Sequence, residues 1–107
     1  MAILKAVAKK LTGMHDFAAF AANRGAPVES TVRTIRSIKI RKQGAMVTLT
    51  FEGNGFLYKM VRLLTGAMVR CAQGKNELAW VEGLLAGKGK NSFAAPADGL
   101  ILMRVLY

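Results

Sequence analysis

The sequence holds one cysteine, one histidine and six acidic residues in 107 positions. A lone cysteine excludes an intrachain disulfide framework, and Cys71 with His15 cannot supply the ligand set of a structural zinc site, so no metal site is expected. A chain of this kind suits a reducing compartment, and the cytoplasm is its expected location. Long apolar runs are also missing. Lys59 and Arg62 interrupt the most hydrophobic segment, and the N-terminal MAILKAVAKKL has no stretch as long as a signal-peptide core. Neither a membrane span nor a signal peptide is expected. No internal repeat, polar tract or low-complexity segment breaks the chain.

What is present is apolar mass and positive charge. Broadly counted, 52% of residues are apolar, which excludes intrinsic disorder and suits one domain with a modest core. Sixteen Lys and Arg give a formal net charge of +10. So large a field on so small a body points to a polyanionic partner. An anionic membrane surface would also attract it, but no segment joins basic residues to a wide aromatic face, so nucleic acid ranks first.

Along the chain, Ile3, Leu4, Val7, Ala8 and Leu11 recur at helical spacing, which predicts an amphipathic helix over 2–12 with Gly13 as its C-terminal cap. Asp16 precedes FAAFAA and is placed to cap a short helical turn. Residues 30–42 read as a strand, with Ile38 and Ile40 on one face and Arg33, Lys39 and Arg41 on the other. After a turn at Gln43 and Gly44, the alternation of Val47, Leu49 and Phe51 with Thr48, Thr50 and Glu52 completes an antiparallel hairpin. Helices are predicted over 56–71 and 77–85, the second capped by Asn76, with 87–92 a loop. The closing PADGLILMRVLY reads as a well-covered strand. The expected fold is α+β: an antiparallel sheet with helices packed on one face, a strand-strand-helix-helix-strand core preceded by an N-terminal helix.

The helix over 56–71 is the element of most interest. Leu57, Met60, Val61, Leu64, Met68 and Cys71 share the side expected to press on the sheet, while Gly55, Lys59, Arg62, Gly66 and Arg70 share the other. A solvated face is one account of that second stripe. A surface on which another backbone or a nucleic-acid strand lies closely is the other. The preceding GNG could offer N–H groups to a phosphate, but it lacks both the dinucleotide fingerprint and the P-loop lysine motif, so a nucleotide fold is unsupported.

GFLYKMVR at 55–62 resembles the signature helix of the TruA-type tRNA pseudouridine synthases. Three further segments match that family in order: LTGMHDFAAFAANRG at 11–25, TVRTI at 31–35 and APADGLILMRVLY at 95–107. Together they cover most of the chain, and they match the second half of the enzyme. The family's catalytic aspartate belongs to an arginine-rich motif of the first half. The aspartates here, Asp16 and Asp98, stand in no such motif.

The resemblance implies isomerisation of uridine to pseudouridine in the tRNA anticodon arm, with no metal or organic cofactor. The aspartate attacks a flipped uridine, the glycosidic bond breaks, and the base turns and rejoins through carbon. Arg62 matches the arginine that pairs with this aspartate across the cleft, a task suited to a permanently charged guanidinium that offers two parallel bonds. Leu100, after the glycine of the GL motif, would pack on the flipped base, with an ordinary core leucine as the alternative. Tyr58 and Lys59 of the signature helix, with His15 and Asp16, fall to the substrate side, although Lys59 stands where relatives often carry histidine or asparagine. His15 and Asp16 as an acid–base pair lack a nucleophile, and the HDF segment reads better as a fixed turn beside the RNA path, with Phe17 and Phe20 in the core. Candidate phosphate contacts are Arg33, Lys39, Arg41 and Lys88, with Lys42 and Lys90 as further cations.

The expected partners are tRNA, a missing N-terminal half and, for the full-length enzyme, a second copy in a homodimer; no membrane is among them. The chain is expected to be the C-terminal half of such a synthase, inactive alone. A free-standing RNA-binding module of the same fold is the alternative, and a purely structural domain, which would retain no tRNA, is a third.

Overall fold

A computed structural model describes residues 2–21, 30–57, 59–91, 93–94 and 101–106, with Leu102 described in its backbone alone. Tyr58 and Leu100 lie outside the described residues, as does Asp98. The elements follow the order α1 (Ala2–Leu11), β1 (Gly13–Asp16), a 3₁₀ turn (Ala18–Phe20), β2 (Val32–Gln43), β3 (Met46–Gly53), α2 (Met60–Ala72), α3 (Leu78–Leu85) and β4 (Ile101–Leu106). The α+β class is as the residue pattern predicts.

The four strands form one sheet in the order β1-β2-β3-β4. The long β2–β3 hairpin is antiparallel, in register from Ser37 opposite Glu52 to Gln43 opposite Met46. Gly44, at φ +57°, opens its turn in a conformation that glycine reaches without a Cβ penalty. The sheet is mixed where a wholly antiparallel one was expected, because β4 runs parallel to β3, with Leu49 beside Met103 and Phe51 beside Val105. The α2–α3 connection is long enough to carry the chain back to the starting end of β3, and such a crossover yields a parallel neighbour. Among the described residues β4 is also an edge strand rather than a well-covered one, and Leu106 is 46% exposed.

β1 was not foreseen. GMHD pairs antiparallel with Val32 to Ile35, and Gly13, at φ +110°, begins this short strand where a helix cap was expected. Its polar tetrapeptide carries no strand pattern of its own; pairing along β2 imposes the conformation.

Leu49 and Phe51 of β3, Ile35 of β2, Val7 and Leu11 of α1, Met60, Leu64 and Met68 of α2, and Val81 of α3 form a single core with Phe17 and Phe20. Both phenylalanines are fully buried, in keeping with a core role. The opposite sheet face carries Lys39, Arg41, Thr48, Thr50 and Arg104. Lys39, Thr50 and Arg104 stand abreast on three adjacent strands.

β2 carries a bulge between Ile35 and Ser37. The extra residue, Arg36, resets the alternation, so Ile35 faces the core while Lys39 and Arg41 face away from it. Arg33, two residues before Ile35, therefore does not share a face with Lys39 and Arg41. Simple period-two reading had placed all three together.

Candidate active-site face

The approach to α2 is shaped by close backbone packing. A Cβ on Gly53 would stand 2.6 Å from the Thr34 carbonyl oxygen, a clash that only glycine avoids. Asn54 then clips the two strands together: its N–H donates to Thr34 O at 3.2 Å, and its Oδ1 accepts from Thr34 N–H at 3.0 Å. Gly55 follows at φ +142° and Lys59 at φ +60°, the one non-glycine with positive φ among the described residues. Lys59 is the N-terminal flanking residue of α2, so the helix begins at Met60 rather than at residue 56. The Met60 N–H donates to Leu57 O at 3.0 Å, and its sulfur accepts the Leu57 N–H at 3.4 Å, closing the tight turn that aims the helix.

Arg62 sits in the first turn of α2, exposed, with no hydrogen-bond or ion-pair partner among the described residues. No acid lies in that turn and no side chain caps it. The helix start thus combines free N–H groups, the positive end of the helix dipole and a bare guanidinium, an arrangement that favours an approaching anion.

Further along α2 the back stripe behaves differently. Gly66 is buried, and a Cβ there would fall 1.7 Å from Phe93 O, so the segment containing residues 91 and 93 crosses the helix in direct backbone contact. Buried Asn91 holds this crossing: Nδ2 donates to Leu63 O at 2.6 Å and to Phe93 O at 3.2 Å, Oδ1 accepts the Phe93 N–H at 3.0 Å, and Asn91 N–H donates to Ala19 O at 2.9 Å. The Arg70 guanidinium lies 3.7 Å above the Phe93 ring, and its Nε donates to Asn76 Oδ1 at 2.7 Å. Asn76 therefore ties down Arg70, and Glu77, without a side-chain bond, occupies the cap position of α3 expected for Asn76. Of the predicted cation and glycine stripe, Gly66 and Arg70 serve the chain's own packing.

His15 and Asp16 are both engaged locally. His15 Nε2 lies 3.1 Å from Thr12 O, which can only accept, so the proton belongs on Nε2; the ring meets Phe17 edge-on. Asp16 accepts from Ala18 N–H at 3.0 Å and from the Thr31 hydroxyl. The Thr31 hydroxyl and then the Ala18 N–H hold its carboxyl below the usual carboxylate range. The two residues form a fixed turn.

The predicted phosphate contacts separate into three places. Arg33 pairs in register with His15 and donates to Ser30 O and Val32 O, both at 2.8 Å; its Nε is 3.9 Å from where a Gly55 Cβ would stand, which ties it to the approach of α2. Lys39 and Arg41 lie on the open sheet face. Lys88 lies in the turn after α3, its N–H donating to Gly83 O at 2.8 Å. Residue-by-residue reading missed Arg104, hidden in an apolar strand, whose place beside Thr50, in the same row as Lys39, depends on the parallel pairing of β4. It also missed Asn91, whose loop context gives no hint of burial. Among the described residues no cluster of three or more His, Cys, Asp or Glu could hold a metal ion, and no helix is long and apolar enough to cross a membrane.

Fold and site together define a basic α+β domain with an exposed arginine at a helix start that has no partner among the described residues. Residues 7–107 match the family model described as tRNA pseudouridine synthase, and the chain belongs to that family. It is 45% identical to tRNA pseudouridine synthase A of Akkermansia muciniphila, in an alignment covering 98% of this chain and 43% of that protein. It is 40% identical to tRNA pseudouridine synthase A 1 of Protochlamydia amoebophila over 98% of this chain and 43% of the relative, and 37% identical to the synthase A of Coprothermobacter proteolyticus over 92% and 38%. The chain thus spans about two-fifths of the length of these relatives.

Proposed function

We propose that the chain is the C-terminal half of a tRNA pseudouridine synthase, an isomerase acting on uridines of the anticodon arm, and that it supplies Arg62 to a cleft completed by a catalytic aspartate on an N-terminal half. The observation that carries this reading is the exposed Arg62, without a partner among the described residues, at a helix start with no side-chain cap and no acid in its first turn. Left to water, a cation beside the positive end of a helix is locally unfavourable; a carboxylate held across the cleft reverses the sign. The edge of β4, which has no strand neighbour among the described residues and leaves Leu106 exposed, supports a further element packing on this half. Tyr58, Lys59 and Leu100 belong to the substrate side of the same cleft. The complete enzyme works in the cytoplasm as a homodimer, without a cofactor, and this half alone is inactive.

The test is turnover. The isolated chain, incubated with undermodified tRNA, yields no pseudouridine, and the same chain joined to an N-terminal half restores it. Product from the isolated chain overturns the claim of inactivity; full activity of the joined Arg62→Ala enzyme overturns the assigned role. The row of Lys39 and Arg104 on the open sheet face favours the second reading, a free-standing RNA-binding module. That reading predicts tRNA retention without turnover, even after joining.

A further inference from the structure

β1 pairs with β2 only as far as Ile35, so on that side of the sheet residues 36–43 of β2 have no strand neighbour among the described residues. α1, which leads into β1, lies beside this free edge. Between them runs a cleft of about 360 Å³ lined by Lys5, Ala8 and Lys9 of α1, by Thr12 just after it, and by Arg36, Ser37, Ile38 and Ile40 of β2. Lys5, Ala8, Lys9 and Thr12 are spaced i, i+3, i+4 and i+7, a stripe that borders the core face of α1 and shares Ala8 with it, while Lys5 and Lys9 stay exposed.

Three cations flank this cleft, and no acid lines it. Lys5 and Lys9 have no ion-pair partner among the described residues, whereas their neighbour Lys10 pairs with Glu82 at 3.1 Å. Like charges at i and i+4 oppose helix formation. Lys9 is offset by the dipole of the last turn, but Lys5, in the middle of the helix, is not. Arg36 is the bulged residue, and a bulge re-aims the side chain it carries. It lines the cleft while lying 3.5 Å from Glu52. The floor is small and apolar, and the free strand edge adds backbone N–H donors suited to phosphate oxygens.

We propose that this cleft is a binding site for the phosphodiester backbone of RNA, held by Lys5, Lys9 and Arg36. It rests on the synthase reading for the choice of RNA over other polyanions. It lies apart from Arg62 and serves to position the substrate, with no part in the chemistry.

The test follows binding of labelled tRNA to the 107-residue chain across a salt series. Lys5→Gln/Lys9→Gln is compared with Lys75→Glu, which removes the same two units of charge at an exposed turn outside the cleft. The double variant is expected to bind about tenfold more weakly near 0.1 M salt and to lower the salt slope by about two, with Lys75→Glu close to the parent. Circular dichroism checks that both variants fold. Equal behaviour of the two variants overturns the site in favour of general charge, and absence of tRNA binding by the parent overturns it outright. Tighter binding of polyglutamate than of tRNA overturns it in favour of an acidic protein partner. Turnover of the joined enzyme is scored separately: a lost cleft with Arg62-dependent turnover intact sinks this site alone, whereas cleft-dependent binding without turnover sinks the synthase reading alone.

Discussion

Arg62 and Gly66 stand one helical turn apart on α2, on the stripe that periodicity sets away from the sheet, yet their surroundings are opposite. Around Arg62 the helix start has no side-chain cap, and the exposed guanidinium has no partner among the described residues. Around Gly66 it is sealed by the crossing segment that Asn91 fastens. Periodicity reports which side of a helix avoids the sheet. It says nothing of whether a later stretch of chain returns to cover that side. The difference separates a residue free to act on a partner from one committed to the fold.

The largest effect that would sharpen this contrast is on turnover. Arg62→Ala should leave stability within about 0.5 kcal/mol, as for an exposed residue without partners. In the joined enzyme it should lower kcat by at least about a hundredfold, the scale of ~3 kcal/mol for a lost charge-assisted pair. Urea denaturation of the isolated chain and single-turnover assays of the joined enzyme check the two halves of that statement. Unfolding on this substitution would erase the contrast.

Gly66→Ala should act in the reverse sense. In an exposed helix interior that change stabilises by up to about 1 kcal/mol. Here the new methyl meets the Phe93 backbone, and a loss of about 3 kcal/mol in unfolding free energy, read from urea denaturation, is expected as the crossing segment is displaced. A stabilised variant would show that the crossing is loose.

Asn91→Ala removes the fastening and leaves the helix intact, stranding the Phe93 N–H. A loss of about 1–3 kcal/mol by thermal or urea unfolding is expected. Combined with Gly66→Ala, the costs should fall short of additive, because both release the same segment.

The smallest effect belongs to Asp16. Its folded pKa lies below the ordinary value, so its contribution is present above the unfolded pKa and fades as pH falls through the folded one. Stability should decline slightly below about pH 4, and Asp16→Asn should flatten that part of the profile, since the amide oxygen keeps the turn without titrating. An unchanged acid limb would show that the turn is held by other bonds.

Local patterns in the residues determined much of the architecture. The amphipathic α1, the β2–β3 hairpin with its glycine turn, α3 and the capping of the turn by Asp16 all follow from contacts within a few positions, which a linear reading captures. The signature around Arg62 was legible because four ordered segments carry it, and its exposed place on α2 agrees with its absence from the core stripe. Tertiary structure alone decided the remainder. Strand β1 exists because β2 offers an edge; β4 is parallel because the helices carry the chain back to the start of β3; the bulge at Arg36 moves Arg33 to a different face from Lys39. Gly66 and Phe93, 27 positions apart in the sequence, become neighbours only when the chain crosses its own helix, as do Leu63 and Asn91. Each of these depends on which distant backbone comes to lie alongside, and no period of two or 3.6 encodes that.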